Sequence, residues 1–283
     1  MPRGVWSRLV TESRARIGLA IILILVIGAV AAPIIAGHDP TQIALRDQLR
    51  PPSFAHWMGT DVQGRDVWAR LVYGARISLA VGILSQSIAL VSGVTLGLVA
   101  GYFGRRVDDI VMRLADITLA FPTLLLLIAM AAALRPSLGT VVLTIGVVGW
   151  AAMARLVRAQ VLVVRRLEFV EAARALGALD RRIIVRHVMP NVVAPVVIAA
   201  TLGVAAAIMA EAALSFLGLG VQPPAPSWGS MIADGRDLTQ LRTAPWTSVF
   251  PGLAIGAAVL GFNLLGDALR DAMDVRWRGA TAE

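Results

Sequence analysis

The chain has 283 residues, 57% of them hydrophobic and 16% charged, with a net charge of +8; soluble domains run at roughly 45–50% and about 25%. Cysteine is absent, which excludes disulfides, thiolate nucleophiles and cysteine metal sites. All 26 basic residues are arginine, so no lysine can hold a nucleotide's terminal phosphates in a P-loop or form a Schiff base, and an ATP-driven process would need its ATPase on another chain.

The apolar residues fall in long uncharged blocks. A hydrocarbon core about 30 Å thick takes roughly 20 residues of helix, and six stretches approach that length: residues 17–36, 77–102, 117–134, 136–154, 188–210 and 243–266. The first follows basic residues and could be a secretory signal, but its 20-residue run exceeds the 7–15 of a signal core and reads as a retained anchor. The expected architecture is an all-α membrane protein with six transmembrane helices over residues 17–270. A segment 1–16 precedes them and a tail 271–283 follows, both expected to be cytoplasmic.

Orientation follows the arginines. With the N-terminus inside, 18 of the 26 lie on cytoplasmic segments, including Arg3, Arg8, Arg276 and Arg278, and five of the others share the long first loop with four aspartates. Trp57, Trp68, Trp228 and Trp246 fall near outer span ends, and Trp6 and Trp277 on the inner side, where indoles favour the interface. The positive charge therefore reads as topology; no basic patch interleaved with aromatic residues points to nucleic acid.

Gly93, Gly97 and Gly101 recur every fourth residue, as do Gly252 and Gly256, a spacing that lets helix backbones approach. Pro122, Pro195 and Pro251 lie in or beside spans and are candidate bends. His38, His56 and His187 are 18 and 131 residues apart, so no local motif such as His-x3-His exists and no metal site is expected.

The long segment 155–187 between the fourth and fifth spans carries eight arginines. Residues 168–176 read as a short helix in which Phe169, Ala172, Ala173 and Leu176 share one face and Glu168 and Glu171 sit in the first turn, where the helix dipole favours acids. Gly177 is placed for a left-handed cap, and Asp180 to cap a second helix running from Arg181 to Met189. Such a helix-turn-helix hairpin either lies on the membrane surface or docks into a groove on a partner.

Here the residues carry a resemblance. Glu171-Ala172-Ala173, three residues, then Gly177 resembles the EAA loop of permease subunits of ATP-binding-cassette (ABC) importers. His187 stands in the usual Ile slot and Met189 in the Leu slot, Pro190 is kept, and His187-Val188-Met189-Pro190-Asn191 is similar to the His-x-Leu-Pro-Asn ending of the peptide-importer branch. Gly59-Thr60-Asp61 with Gly64-Arg65-Asp66, the run Tyr73-Gly74-Ala75-Arg76-Ile77-Ser78-Leu79, the run from Glu211 to Gly220 and Asn263-Leu264-Leu265-Gly266-Asp267 resemble the dipeptide, oligopeptide and nickel permeases. Val275 replaces the branch's usual terminal proline.

The resemblance runs from about residue 15 to 278 and implies a type I importer permease with a cytoplasmic coupling helix. It is nearest to the second of the two permease subunits of a dipeptide or oligopeptide importer, in a bacterial inner membrane, with nickel chelates or another small solute as the alternative cargo. It gives Glu171, Ala172, Ala173, Gly177, Phe169, Leu176 and Pro190 the role of meeting the ATPase. Asp61, Arg65, Asp66 and Trp228, with loops 59–68 and 225–235, are expected to receive an extracytoplasmic binding protein. The implied partners are a second permease subunit and two ABC ATPase subunits that bind ATP and Mg, leaving this chain without a cofactor or catalytic residue.

Among polar residues, Glu211 is the acid nearest a membrane interior and a candidate for gating; it is expected near the outer interface, solvated or paired with an arginine such as Arg76. Asp108 and Asp109 beside Arg105 and Arg106 read as a solvated turn, and Ser78 and Ser215 as lacking a nearby base. A secondary transporter would need ionisable or discontinuous-helix sites near the midplane, and an intramembrane hydrolase a matched Asp or Ser/His pair; the spans offer neither an acid nor a base at mid-depth.

Overall fold

The computed structural model describes residues 12–273; the expectations for Arg3, Trp6, Arg8, Val275, Arg276, Trp277 and Arg278 lie outside them. The described residues form ten α-helices, with strand pairing limited to one isolated bridge between Thr60 and Asp66. Five helices are long and apolar enough to cross a membrane, and six when one sharply bent pair is taken as a single span.

Helix α1 (Ser13–Ile35) buries only Ala15, Gly18, Ala29 and Ala32 and leaves Ile24, Ile27, Val30 and Ile34 exposed. An apolar face that no other element covers is a lipid-facing surface. Its small-residue stripe lies on the last helix, where a Cβ at Gly18 would come within 2.8 Å of the Gly261 carbonyl oxygen.

Helix α2 (Val67–Phe103) starts ten residues before the expected span because Asp66 caps it, its Oδ1 accepting from the Ala69 amide at 2.7 Å. Its partner is α5 (Leu138–Val164). The glycine ridge makes that pairing close: a Cβ at Gly97 would lie 2.5 Å from the Ala154 carbonyl oxygen, and one at Gly101 2.8 Å from Val161 Cβ. The other glycine pair behaves differently, since Gly252 and Gly256 have nothing within 4 Å of an added Cβ.

The third expected span is not one straight helix. Helix α3 (Arg105–Ala120) and helix α4 (Thr123–Ala133) meet at 92° across Phe121 and Pro122. Proline removes an amide donor and drives the preceding residue into extended backbone, as Phe121 shows with φ −89° and ψ 141°. Pro195 and Pro251, by contrast, lie inside unbroken helices. Asp108 belongs to α3 and is paired rather than solvated in a turn: Arg158 of α5 donates to its two oxygens at 2.5 and 2.6 Å, and Arg155 meets Asp116 at 2.5 Å. These pairs let α5 continue ten residues past the expected end at Ala154.

The segment after α5 is consequently shorter than expected. Helix α6 (Glu168–Ala175) follows, and α7 then runs without interruption over Asp180–Phe216. The expected separate second helix ending before Pro190 is therefore the first turns of α7. A five-residue π segment, Ile184–Val188, precedes Pro190, and its altered hydrogen-bond register accommodates a residue without an amide proton. Beyond α7 come α8 (Trp228–Asp234), α9 (Leu238–Thr243) and the spanning α10 (Trp246–Met273).

Candidate functional site

Two polar regions stand at opposite ends of the bundle. At the arginine-rich end, α6 buries Val170 completely against Val157, Val161, Ile183 and Val188 of α5 and α7. Its other face is open: Phe169 and Leu176 are exposed, Leu176 by 88%, as are Leu179 and Val185 further along the chain. Ala172 is exposed and Ala173 half-buried, as is His187, whose ring lies 6.3 Å from that of Phe169. Helix α6 is thus clamped by one valine and presents apolar and acidic side chains outward.

Gly177 has φ +77°, the left-handed cap the sequence anticipates, and nothing lies within 4 Å of an added Cβ. Asp180 does not cap a helix with its side chain. It takes the Tyr102 hydroxyl at 2.5 Å, while Arg174 lies over the Tyr102 ring at 5.8 Å and Arg165 donates to the Gly101 carbonyl at 2.7 Å. The C-terminal end of α2 is thereby tied to both ends of the α6 loop. No sequence motif marks Tyr102 for this role, since its partner is 78 residues away.

At the other end, the four residues expected to meet a binding protein are buried. Arg65 Nε donates to Asp61 Oδ2 at 2.7 Å and its Nη2 to Asp234 Oδ2 at 2.8 Å; Arg70 reaches Asp234 at 3.0 Å and lies 3.4 Å from Asp61. Trp228 is fully enclosed, its indole donating to the Leu71 carbonyl at 3.0 Å. Asp61, Arg65 and Trp228 therefore lock the long loop and α8 onto α2, and Asp66 caps α2. The Trp68 and Trp246 indoles are likewise spent inside the fold, on the carbonyls of Ile35 and Thr60. Gly64, at φ +73°, turns this loop so tightly that a Cβ would collide with the Ala44 carbonyl.

Glu211 is 0% exposed and is not paired with Arg76, which is exposed beside the Tyr73 ring. Ser215 donates to its Oε1 at 2.7 Å and Ser78 to its Oε2 at 3.3 Å, and the Ser78 oxygen in turn accepts from the Trp228 amide at 3.1 Å. The two serines that lacked an expected neighbour thus share this carboxylate, and α2, α7 and α8 are joined through it.

Between these ends α2, α4, α5 and α7 enclose a cleft of about 320 Å³. Ser85, Gln86 and Thr123 supply its polar lining among alanines, glycines and aliphatic residues, and the buried Ser85 Oγ has no hydrogen-bond partner. Buried polar groups are ordinarily paired, and Ser85, at 1% exposure, is one of the few described residues whose side chain is not. The sequence offered no signal for it, because serine and glutamine are unremarkable inside a 26-residue apolar run.

Comparisons with known proteins agree with one another. Residues 93–279 match the family described as binding-protein-dependent transport system inner membrane component, and residues 3–52 match the N-terminal TM domain of oligopeptide transport permease C. The chain is 45% identical to the dipeptide transport system permease protein DppC of Alkalihalophilus pseudofirmus, over 98% of this chain and 90% of that one. It is 42% identical to the di/tripeptide transport system permease protein DppC of Pseudomonas aeruginosa, over 97% and 92%. A chain of the inward-facing MetNI methionine ABC transporter superposes with TM-score 0.54 at 23% identity, covering 72% of this chain and 97% of that chain. That likeness shows the fold, a type I importer permease.

Proposed function

The chain belongs to the family of binding-protein-dependent transport system inner membrane components, and from that membership we propose that it forms half of the translocation pathway of an ATP-driven importer of dipeptides or oligopeptides. The observation that supports the reading best is α6, held to its own chain by Val170 and Tyr102 while Phe169, Leu176 and Leu179 face outward. An apolar face on an arginine-rich surface fits a groove on a partner, and that partner is an ABC ATPase subunit, two of which bind and hydrolyse ATP with Mg. Glu171, Ala172, Ala173 and Gly177 belong to the same contact.

In the assembled importer a second permease subunit supplies the other half of the path, and both termini of this chain are cytoplasmic in a bacterial inner membrane. Closure of the ATPases on ATP moves α6. The Val170, Ile183 and Val188 contacts pass that movement to α5 and α7, and Tyr102 passes it to α2. These helices line the cleft, so its Ser85, Gln86 and Thr123 surface reorients between the two sides. An extracytoplasmic binding protein delivers the peptide to the end that carries α8. Glu211 gates, on this reading, by holding α8 through Ser78 rather than by touching the cargo.

Two measurements test the proposal. In the purified complex, Leu176→Asp should abolish co-purification of the ATPase subunits while the permease chain keeps its thermal stability; undiminished co-purification would remove α6 as the contact. Uptake of a labelled dipeptide by the reconstituted complex should be competed by dipeptides or longer peptides. Competition by nickel chelates alone would reassign the cargo.

A further inference from the structure

We propose that His38, His56 and Asp66 form a binding site for one divalent transition-metal cation, at the end of the bundle that carries α8. The three residues come from separate segments: His38 follows α1, His56 lies in the long loop and Asp66 caps α2. One ligand atom from each lies within 4.8 Å of the others. The inference uses none of the transport reading.

The geometry is specific. Asp66 is buried, and its Oδ1 is committed to the Ala69 amide, which fixes the carboxylate and leaves Oδ2 facing both imidazoles. His56 Nδ1 is 2.8 Å from that oxygen and His38 Nδ1 is 3.6 Å from it, with ring centroids 5.1 Å apart. A hydrogen bond between His56 and Asp66 accounts for one histidine. It does not account for His38, whose Nδ1 lies 3.6 Å from the same oxygen, beyond hydrogen-bonding range.

A cation accounts for both. With metal–ligand distances of about 2.0–2.1 Å, neighbouring ligand atoms of a tetrahedral centre lie roughly 3.3–3.4 Å apart. The 3.6 Å separation is already near that value. The 2.8 Å one opens when the cation takes the place of the bridging proton, His56 then carrying its single ring proton on Nε2 and turning its Nδ1 lone pair to the metal. Two imidazoles and one carboxylate suit Zn²⁺, Co²⁺, Ni²⁺ or Cu²⁺, and not Ca²⁺ or Mg²⁺, which take oxygen ligands.

The site also has an entrance. The His38 side chain is 48% exposed and borders, with Asp66, a pocket of about 540 Å³ shared with Phe54, Trp57 and Trp68, which leaves room for water to complete the coordination. A bound cation would pin the end of α1 and the long loop to the start of α2.

The test uses the full-length chain in its purified complex, isolated through a tag without histidine, stripped with a chelator and titrated with Co²⁺ as a spectroscopic probe and Zn²⁺ by calorimetry. One equivalent per permease chain is expected, with Co²⁺ ligand-field bands that Zn²⁺ abolishes. His38→Ala, at an exposed position that leaves the fold intact, should weaken binding at least about tenfold, as should His56→Ala; His187→Ala should retain the full equivalent. Absence of a stoichiometric equivalent, or one that survives His38→Ala, would overturn the proposal.

Discussion

Tyr102 and Asp180 meet at 2.5 Å, the hydroxyl at the end of α2 donating to the carboxylate that opens α7. This bond, with Arg174 against the same ring, makes the loop around α6 respond to α2 as well as to its own flanking helices. Tyr102→Phe keeps the ring and removes the bond. Because Asp180 is exposed, the loss is about 1 kcal/mol, enough to shift a two-state equilibrium about fivefold. Peptide-stimulated ATP hydrolysis by the complex should become less tightly coupled to uptake, with the assembly intact.

Gly177 adopts φ +77° in open space, so a substitution there is opposed by backbone conformation alone. Gly177→Val should cost about 1–2 kcal/mol at the loop and lower uptake per ATP hydrolysed. Gly177→Asn should be tolerated better, since asparagine visits the left-handed region. Equal behaviour of the two variants would show that the cap is not required.

Asp61 accepts from Arg65 Nε and from the amides of Gln63 and Arg65. Asp61→Ala strands buried guanidinium groups and should cost about 3 kcal/mol. Asp234→Ala should cost less, because the Asp234 side chain is 39% exposed. Thermal unfolding in detergent should rank the two in that order.

Glu211 separates shape from charge. Glu211→Gln retains a group that can meet both serine hydroxyls, and should unfold near the parent temperature. Glu211→Ala leaves Ser78 and Ser215 without their acceptor and should lose about 1–3 kcal/mol. If the glutamine variant falls as far as the alanine one, the negative charge itself holds α8.

Gly97→Val forces a side chain into the Ala154 backbone. Overpacking of this kind costs about 1–3 kcal/mol, read as a lower unfolding temperature. Gly256→Ala, with nothing within 4 Å, should leave the isolated chain's stability unchanged.

What was legible in the sequence is local. The apolar blocks, the α6 face, the Gly177 cap and the Gly93, Gly97 and Gly101 ridge depend on residues a few positions apart, and each appears in the structure. Helix ends were misjudged where distant charges intervened: α5 passes Ala154 because Asp108 and Asp116 of α3 receive its arginines. The burial of Asp61, Arg65 and Trp228 is illegible for a related reason, since Asp234 and Leu71 claim Arg65 and Trp228 from other elements. The His38 and His56 pair was dismissed on spacing, yet the loop between them closes and brings their rings to 5.1 Å. Pairings of this kind are set by chain closure, which no single window of sequence contains.

The π segment at Ile184–Val188 gives α7 a joint in its twist. One extra residue in a turn puts the two ends of a helix about 100° out of phase. A bulge that slips by one position keeps nearly all the backbone bonds on either side. The end of α7 that carries Asp180 is therefore set in a different rotational phase from the half that lines the cleft, while the rod between them stays continuous.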